Sequence, residues 1–319
     1  MIEKGSNVYS ASSGDERLDR RYAWAEAALK DGDPQAAIDI LDQTLAENYG
    51  FTAAWHLYGL AQEALGHNEE AATAWRQCLD LDPNDHVGAK LDLARIGALA
   101  AEQATSENFS GALFDGYADR FDSHLVGTLQ YQAPALLKQA LARHCAQTGR
   151  LFKFGTTLDL GCGTGLMGEA IRAETEFLAG CDLSPRMIAK AQAKTRDDGG
   201  PLYDKLATAG LTAFLASRPD ASADLVIAAD VFVYLGDLAP CFHQSARVLK
   251  TGGLFAFTVQ SHDGDGIAVG QDRRFAHAEG WVRGALGEAG LKPVLVEPQS
   301  TRIDRGQPVP GLIVMSERG

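Results

Sequence analysis

Three glycines stand at every second position after a short aliphatic run, and an acid ends that run. The glycines are Gly161, Gly163 and Gly165, and the acid is Asp159. Glycine lets a ligand approach the backbone where a Cβ would block it. A loop that held phosphate alone would avoid a carboxylate, whereas a carboxylate suits a positively charged group. The spacing therefore predicts a strand, a tight loop and a helix that bind a ligand carrying positive charge.

The same loop fits two classes of ligand. Gly163, Gly165 and Gly168 satisfy the G-x-G-x-x-G pattern, so the glycines alone leave NAD open. A second acid, Asp182, ends the next predicted strand, where a carboxylate can bind both hydroxyls of a ribose. Nicotinamide enzymes share that acid. S-adenosylmethionine (SAM) has a sulfonium and an amino group, so it suits Asp159 better than a dinucleotide does.

Strands and helices that alternate along the chain would position these residues. Seven strands are predicted, at Thr156–Leu160, Leu178–Cys181, Leu206–Leu211, Leu225–Ala229, Gly253–Val259, Pro293–Glu297 and Gly311–Met315. The helices between them are predicted to begin near Gly165, Pro185, Thr212, Leu238 and Glu279. Such alternation predicts an α/β fold with a doubly wound, mostly parallel sheet covered on both faces. Ligands bind such sheets beyond the carboxyl ends of the strands, where the glycine loop falls.

Three motifs together carry a family resemblance. Asp159 to Gly165 reads Asp-x-Gly-x-Gly-x-Gly, Asp182 is followed by Leu-Ser-Pro-Arg-Met187, and the fourth strand ends in Ala228-Ala-Asp-Val-Phe-Val-Tyr-Leu-Gly-Asp237. With these motifs, residues 110–319 resemble the class I SAM-dependent methyltransferases. The resemblance implies a seven-stranded Rossmann-like methyltransferase sheet, SAM as cofactor and S-adenosylhomocysteine as product.

The resemblance also implies which residues hold the cofactor. Met187 would lie against adenine. The family often has an acid at the position of Gly210, so adenine would here be recognised by backbone groups and by apolar packing around Leu211. The predicted cofactor-binding residues are Tyr117, Phe121, Tyr131, Asp159, Gly161, Cys162, Gly163, Gly165, Asp182, Leu183, Met187, Gly210, Leu211 and Asp230.

A segment before the sheet carries aromatic residues at helical spacing. Tyr117 and Phe121 are four residues apart and share one helical face. The segment around them resembles the N-terminal element that folds over the cofactor in many small-molecule methyltransferases, where it would exclude water. His124 and Tyr131 follow as candidate substrate contacts, with packing between helices as the alternative.

Methyl transfer from a sulfonium is an in-line displacement that needs orientation more than covalent catalysis. Where the acceptor is a phenol, carboxylate or amine, a base can help. The candidate catalytic residues are Asp230, Tyr234 and His124, with His262 as a further candidate base. Asp230 comes directly after the fourth strand, and its alternative role is a helix cap or a loop hydrogen bond.

The first hundred residues show an internal repeat of a different kind. Residues of matching type recur with the 34-residue period of the tetratricopeptide repeat, at Gly32 and Gly66, Ala37 and Ala71, and Leu45 and Leu79. The second copy carries Gly59 on its first helix and Trp75 on its second, where the first copy has Ala25 and Leu41. This block resembles an array of two tetratricopeptide repeats, capped by a helix from about Asp85 to Ala101.

Length and composition set the domain plan and the expected partners. The 319 residues predict a flexible tail (1–15), an all-α tetratricopeptide-like domain (16–104) and a methyltransferase domain (105–319). The net charge of −13 argues against nucleic acid as a partner, and no apolar run predicts a membrane span. Five scattered cysteines without a C-x-x-C pair predict reduced thiols, a cytoplasmic location and no metal site.

These observations predict a SAM-dependent methyltransferase that acts on a small molecule or, as a variant, on a protein or peptide delivered by the repeats. The alternative is a tetratricopeptide interaction or scaffold protein with a non-catalytic SAM-binding domain. A nicotinamide oxidoreductase is disfavoured by Asp159 and by the lack of a second domain for a hydride acceptor. The acceptor atom stays open.

Overall fold

The computed structural model describes residues 12–120, 130–304 and 306–319. Two compact units make up this structure. One unit comprises the residues up to Leu113 together with Gln271–Arg273, and the other comprises Phe114–Gly270 and Arg274–Gly319. The division falls inside a helix, and the predicted limits of 16–104 and 105–319 stay a prediction. Most of the predicted tail lies outside the described residues.

The first unit consists of short helices. They are α1 (Glu16–Lys30), α2 (Pro34–Glu47), α3 (Thr52–Ala64), α4 (Asn68–Leu81) and α5 (Ala89–Arg95). Helix α1 packs against α2, α2 against α3, and α3 against α4. Asp15 and Asp33 accept hydrogen bonds from the first free amides of α1 and α2, as helix N-caps do. The 34-residue sequence repeat thus corresponds to a repeat of helix pairs.

The contact between Gly59 and Trp75 explains the repeat motif. Trp75 is fully buried on α4, and a methyl group at Gly59 would lie 2.6 Å from its Cδ1 atom. In the first repeat Ala25 and Leu41 occupy these positions, and both are fully buried. Thus Ala25, which is larger than Gly59, packs with Leu41, which is smaller than Trp75.

Helix α5 is shorter than the predicted helix from Asp85 to Ala101. Gly88 (φ +74°) precedes it and Gly97 (φ +76°) follows it, and this left-handed conformation ends helices. Asp92 on α5 is fully buried and lies 2.8 Å from His56 and 3.1 Å from Arg95. Arg273 also lies 3.1 Å from Asp92, so this buried charge is compensated within its own unit.

The second unit is built on one large sheet. Its helices, after α6 (Glu107–Tyr117), are α7 (Ala133–Thr148), α8 (Leu166–Ile171), α9 (Pro185–Ala193), α10 (Leu211–Ala216), α11 (Ala239–Val248) and α12 (Glu279–Glu288). Its strands are β1 (Phe154–Leu160), β2 (Thr175–Asp182), β3 (Lys205–Thr208), β4 (Ala223–Ala228), β5 (Leu249–Gln260), β6 (Ile267–Val269), β7 (Phe275–His277), β8 (Leu291–Pro298), β9 (Ile303–Asp304), β10 (Gln307–Pro308) and β11 (Gly311–Arg318).

The seven main strands lie in the order β3-β2-β1-β4-β5-β11-β8, and all pairs except those of β11 are parallel. All seven correspond to predicted strands. The predicted third strand extended to Leu211, but β3 ends at Thr208 because Gly210 caps α10. Strand order reverses between β1 and β4, which is where such sheets bind ligands.

Helices cover both faces of this sheet. On β4, Leu225 and Ile227 pack on the side of α7, α8 and α9, whereas Val226 and Ala228 pack on the side of α10, α11 and α12. Burial on both faces explains why the strand is apolar throughout instead of alternating. The predicted doubly wound α/β class is confirmed. Within the described residues no helix is both long and apolar enough to cross a membrane.

Candidate active site

The glycine loop leaves the carboxyl end of β1 and turns back over β2. Gly161, Gly163 and Gly165 have φ values of +63°, +54° and +97°, which a side chain would oppose. The Cys162 amide donates a hydrogen bond to the Cys181 carbonyl oxygen, at 2.8 Å. The loop therefore depends on glycine for its conformation as well as for access to its backbone.

Asp182 ties this loop to the next helix. One carboxylate oxygen accepts from the Gly163 amide at 3.0 Å, and the other accepts from the Ser184 amide at 2.9 Å. Burial raises the pKa of Asp182, while these amide hydrogen bonds favour the ionised form. Each carboxylate oxygen has a second lone pair, so Asp182 can still accept hydrogen bonds from a ligand's hydroxyl groups.

Asp159 at the end of β1 is buried and only half satisfied. Its Oδ2 accepts a hydrogen bond of 2.6 Å from the Tyr203 hydroxyl, and its Oδ1 is buried without a hydrogen-bond partner among the described residues. Burial raises the pKa of Asp159 to about 7; the Tyr203 hydrogen bond opposes that rise, and the charge of Asp182 adds to it. A ligand cation would supply the partner that Oδ1 lacks.

A second polar group lies beyond β4 and β5. Asp230 has φ +59°, and its amide donates to the Thr258 hydroxyl at 2.8 Å. Its carboxylate is buried against Arg302, whose Nη1 is 2.9 Å from both oxygens. The other guanidinium nitrogen donates to the Gln260 side-chain oxygen at 2.7 Å. Both oxygens of the Asp230 carboxylate are thus already paired with a single guanidinium nitrogen.

Two predicted tyrosines lie near this ion pair. The Tyr131 hydroxyl donates to the Ala229 carbonyl oxygen at 3.2 Å. Burial raises the pKa of Tyr131, and the charges of Asp230 and Asp159 raise it further, so its phenol stays neutral. The Tyr234 ring packs edge-on against Phe114, with 4.9 Å between the ring centroids.

The end of α6 is attached to the start of α9. Ser184 Oγ donates to the Asp115 carboxylate at 2.6 Å, while the same oxygen caps α9 by accepting from the Met187 amide. Asp119 pairs with Arg186 and lies 3.3 Å from Lys190. These bonds attach the end of α6 to a segment that begins at Ser184, two residues after Asp182.

The structure brings several further predicted residues to this region. Tyr117 is half-buried at the end of α6, Leu183 is half-buried after β2, and Met187 is fully buried on α9. Gly210 caps α10, and Leu211 is buried at its first position. Phe121 and His124 lie outside the described residues.

Cys162 is a buried thiol within the loop, and burial raises its pKa well above the usual range. The neutral thiol is thus favoured over the thiolate, and Cys162 serves as a small neutral residue. No group of side chains in the described ranges could hold a metal ion.

Three residues of the site were missed by the sequence analysis. Tyr203 and Arg302 contact the predicted Asp159 and Asp230, and Asp115 contacts Ser184, which follows the predicted Asp182 and Leu183. Gln260 also belongs to the site, because its side-chain oxygen accepts a hydrogen bond from Arg302. Tyr203 and Arg302 belong to no local motif, so a single sequence carried no signal for them, whereas Asp115 lies two residues before the predicted Tyr117.

Residues 158–257 match the methyltransferase domain family, and residues 52–85 match the tetratricopeptide repeat. The predicted combination of a methyltransferase domain with N-terminal tetratricopeptide repeats is confirmed. The first match runs from within β1 to within β5 and so contains the glycine loop, Asp182 and Asp230.

One similar protein is the ubiquinone biosynthesis O-methyltransferase of Nitrosomonas europaea, which is 27% identical over 104 residues. That stretch covers 32% of this chain and 43% of the relative, so the match spans less than half of the relative's length.

Among solved structures, the magnesium protoporphyrin IX methyltransferase of Synechocystis PCC 6803 with bound SAM is 16% identical, with a TM-score of 0.51 over 67% of this chain and 97% of that one. The [4+2]-cyclase SpnF is 18% identical, with a TM-score of 0.53 over 67% and 96%. These similarities establish the fold. Because a cyclase shares the fold, the activity needs its own argument.

Proposed function

We propose that the protein transfers a methyl group from SAM to a small-molecule acceptor by in-line displacement. The observation that carries this proposal is the buried Asp159, beside a glycine loop that Asp182 holds in place: among the residues that the structure describes, its Oδ1 has no hydrogen-bond partner. A cationic ligand with a ribose suits this pair of acids better than a phosphate-rich dinucleotide does. The methyltransferase-domain match and the O-methyltransferase relative support the same function.

The chain's own residues would hold the cofactor at both ends. Asp159 would pair with the amino group, and the backbone of the glycine loop would lie against the ligand. Asp182 would accept hydrogen bonds from the ribose hydroxyls. Gly210 offers no side chain to adenine, so Leu211 and Met187 would contribute apolar packing. Bound SAM supplies an electrophilic methyl group on a sulfonium.

The acceptor would lie near the ends of β4 and β5. Asp230, Tyr234 and Tyr131 lie there, and Arg302 fixes the Asp230 carboxylate. Because that carboxylate is paired, we assign Asp230 to orientation of the acceptor rather than to proton abstraction. Orientation of two reactants and exclusion of water can themselves supply several kcal/mol of the barrier reduction. Tyr117 at the end of α6 would help to exclude water.

Binding and transfer can be tested separately. Calorimetry with S-adenosylhomocysteine and with NAD should show binding of the first and not the second, and Asp159→Ala or Asp182→Ala should weaken that binding more than tenfold. Labelled SAM and a metabolite extract should then yield a labelled small molecule with the wild type only. Failure to bind S-adenosylhomocysteine would overturn the proposal.

The tetratricopeptide match at residues 52–85 favours a second candidate, a protein-interaction or scaffold role with a non-catalytic SAM-binding domain. This candidate predicts that S-adenosylhomocysteine binds but that no extract component, large or small, accepts a labelled methyl group. Transfer to a protein that is lost on deletion of residues 1–104 would instead indicate delivery of a protein acceptor by the repeats. The five buried free cysteines suit a reducing cytoplasm for either role.

A further inference from the structure

We infer that Tyr203 is a positioning residue for the cofactor: its hydroxyl holds Asp159 with one oxygen free for the ligand's amino group, and its ring supports the glycine loop from below. This inference rests on the proposed function. Tyr203 lies just before β3, outside every motif of the sequence analysis. It acts through Asp159 and through the loop rather than on the reacting atoms.

The hydroxyl contact fixes which oxygen of Asp159 is available. Tyr203 is buried, and its hydroxyl donates to Oδ2 at 2.6 Å, a short hydrogen bond of the kind a carboxylate accepts. The bond leaves Oδ1 as the free oxygen, and that oxygen has no hydrogen-bond partner among the described residues. Tyr203 therefore orients the carboxylate before a ligand arrives.

The ring contact fixes the loop and the strands beside it. A methyl group would lie 2.7 Å from Cε2 of Tyr203 at Gly168, 2.9 Å from Cε1 at Gly180, and 3.2 Å from Cε2 at Gly165. The ring thus fills the space between the start of α8 and β2. It can approach so closely only because all three positions are glycine.

Burial and the charge of Asp182 oppose the ionisation of Asp159. Besides Tyr203, the titratable groups that interact with it are Asp182, Cys162, Cys181 and Tyr131. The two thiols and Tyr131 have pKa values raised by burial and stay neutral. Asp182 therefore contributes the nearby negative charge, and the Tyr203 hydroxyl favours the ionised form of Asp159.

This arrangement links cofactor binding to proton release. The cation needs an ionised Asp159, whereas the carboxyl group has a pKa of about 7 without it. For one such group, affinity should rise about tenfold between pH 6 and pH 8 and then level off. Loss of the Tyr203 hydroxyl removes a bond to the ionised form, so the rise should move to higher pH.

The test is calorimetric titration of the full chain with S-adenosylhomocysteine from pH 6 to pH 8.5, in two buffers that differ in ionisation enthalpy. The wild type should release a proton on binding at pH 6. Tyr203→Phe, which keeps the ring, should shift the affinity profile upward by about one pH unit. Asp159→Asn should bind S-adenosylhomocysteine weakly, with an affinity that does not depend on pH in this range. The control is Tyr22→Phe, at a buried tyrosine of the helical unit, which should match the wild type.

The outcomes separate the inference from the proposed function. If the wild type does not bind S-adenosylhomocysteine, the proposed function fails. If it binds and Tyr203→Phe keeps the wild-type profile, with or without a uniform loss of affinity, Tyr203 is only a packing residue and the inference is overturned. A profile that persists in Asp159→Asn would assign the proton to Asp182 and also overturn it.

Discussion

Arg302 and Asp230 form a buried ion pair in which one guanidinium nitrogen lies 2.9 Å from both carboxylate oxygens. The Arg302 side chain is 2% exposed and that of Asp230 is 10% exposed. The pair joins the carboxyl end of β4 to the segment after β8, which are far apart in the chain. The ion pair therefore fixes the position of the Asp230 carboxylate in the region where we propose that the acceptor binds.

Arg302→Met should destabilise the catalytic unit by about 3–5 kcal/mol, because it leaves the Asp230 carboxylate buried without its partner. Scanning calorimetry would measure the loss as a lower transition temperature. Arg283→Gln is the control: its ion pair with Glu279 is about half exposed on α12, and its loss should cost less than about 1 kcal/mol. Equal stability of Arg302→Met and the wild type would mean that the pair contributes nothing.

Asp115→Ala should weaken S-adenosylhomocysteine binding about five- to tenfold, because it removes the hydrogen bonds that hold α6 beside the loop after Asp182. Titration calorimetry at pH 8 would measure the change. Asp220→Asn removes an exposed ion pair with Arg247 and should leave binding unaltered. An unchanged affinity in Asp115→Ala would show that α6 is dispensable for the cofactor.

Gly59→Ala should destabilise the helical unit by about 1–3 kcal/mol, since the added methyl group collides with the fully buried Trp75 ring. Gly284→Ala on α12 meets no atom within 4 Å and should instead stabilise its own unit by about 0.5–1 kcal/mol. Thermal unfolding that resolves the two units would show the opposite signs. A neutral Gly59→Ala would mean that Trp75 can move aside.

The helical unit should lose stability in acid because of Asp92. Burial opposes ionisation, but Arg273, His56 and Arg95 overcome it and lower the pKa of Asp92 to about 2. A carboxylate whose pKa is lower in the folded state stabilises the fold above its unfolded pKa of 3.8. That contribution, about 2 kcal/mol, should disappear as the pH falls from about 4 to about 2.

The variant Asp92→Asn should be less stable than the wild type at pH 6 and should lack this acid dependence. Urea unfolding at several pH values would measure both effects, with the exposed Asp80→Asn as the control. If the unfolding free energies of the wild type and Asp92→Asn change in parallel down to pH 2, Asp92 does not cause the loss of stability in acid.

Local pattern was enough to predict the main elements of the fold. The seven main strands were predicted because each is a short apolar run bounded by glycine, proline or a helix. The short strands β6, β7, β9 and β10 were not predicted, because two or three residues carry no periodicity and such strands are fixed by their pairing partners. The extent of α5 was wrong because Gly88 and Gly97 were not recognised as its limits.

The residues of the candidate site also fall into two groups, those that a local motif predicts and those that only the folded chain brings together. Asp159, Asp182 and the glycines could be predicted because each lies in a motif next to the element that positions it. Tyr203 and Arg302 could not, since only the folded chain brings them to their acidic partners. Asp230 was predicted by position, but its ion pair with Arg302 was not.

The tyrosine beneath the glycine loop also constrains how the sequence can change over time. Because Gly168 and Gly180 leave no room above the Tyr203 ring, alanine at either position would be admitted only after residue 203 had become smaller. Related sequences should therefore show this order of replacement, with alanine at 168 or 180 only where 203 is not aromatic. In such a lineage, Gly168 of an apparent ligand fingerprint and Gly180 of β2 would both record the size of a buried neighbour.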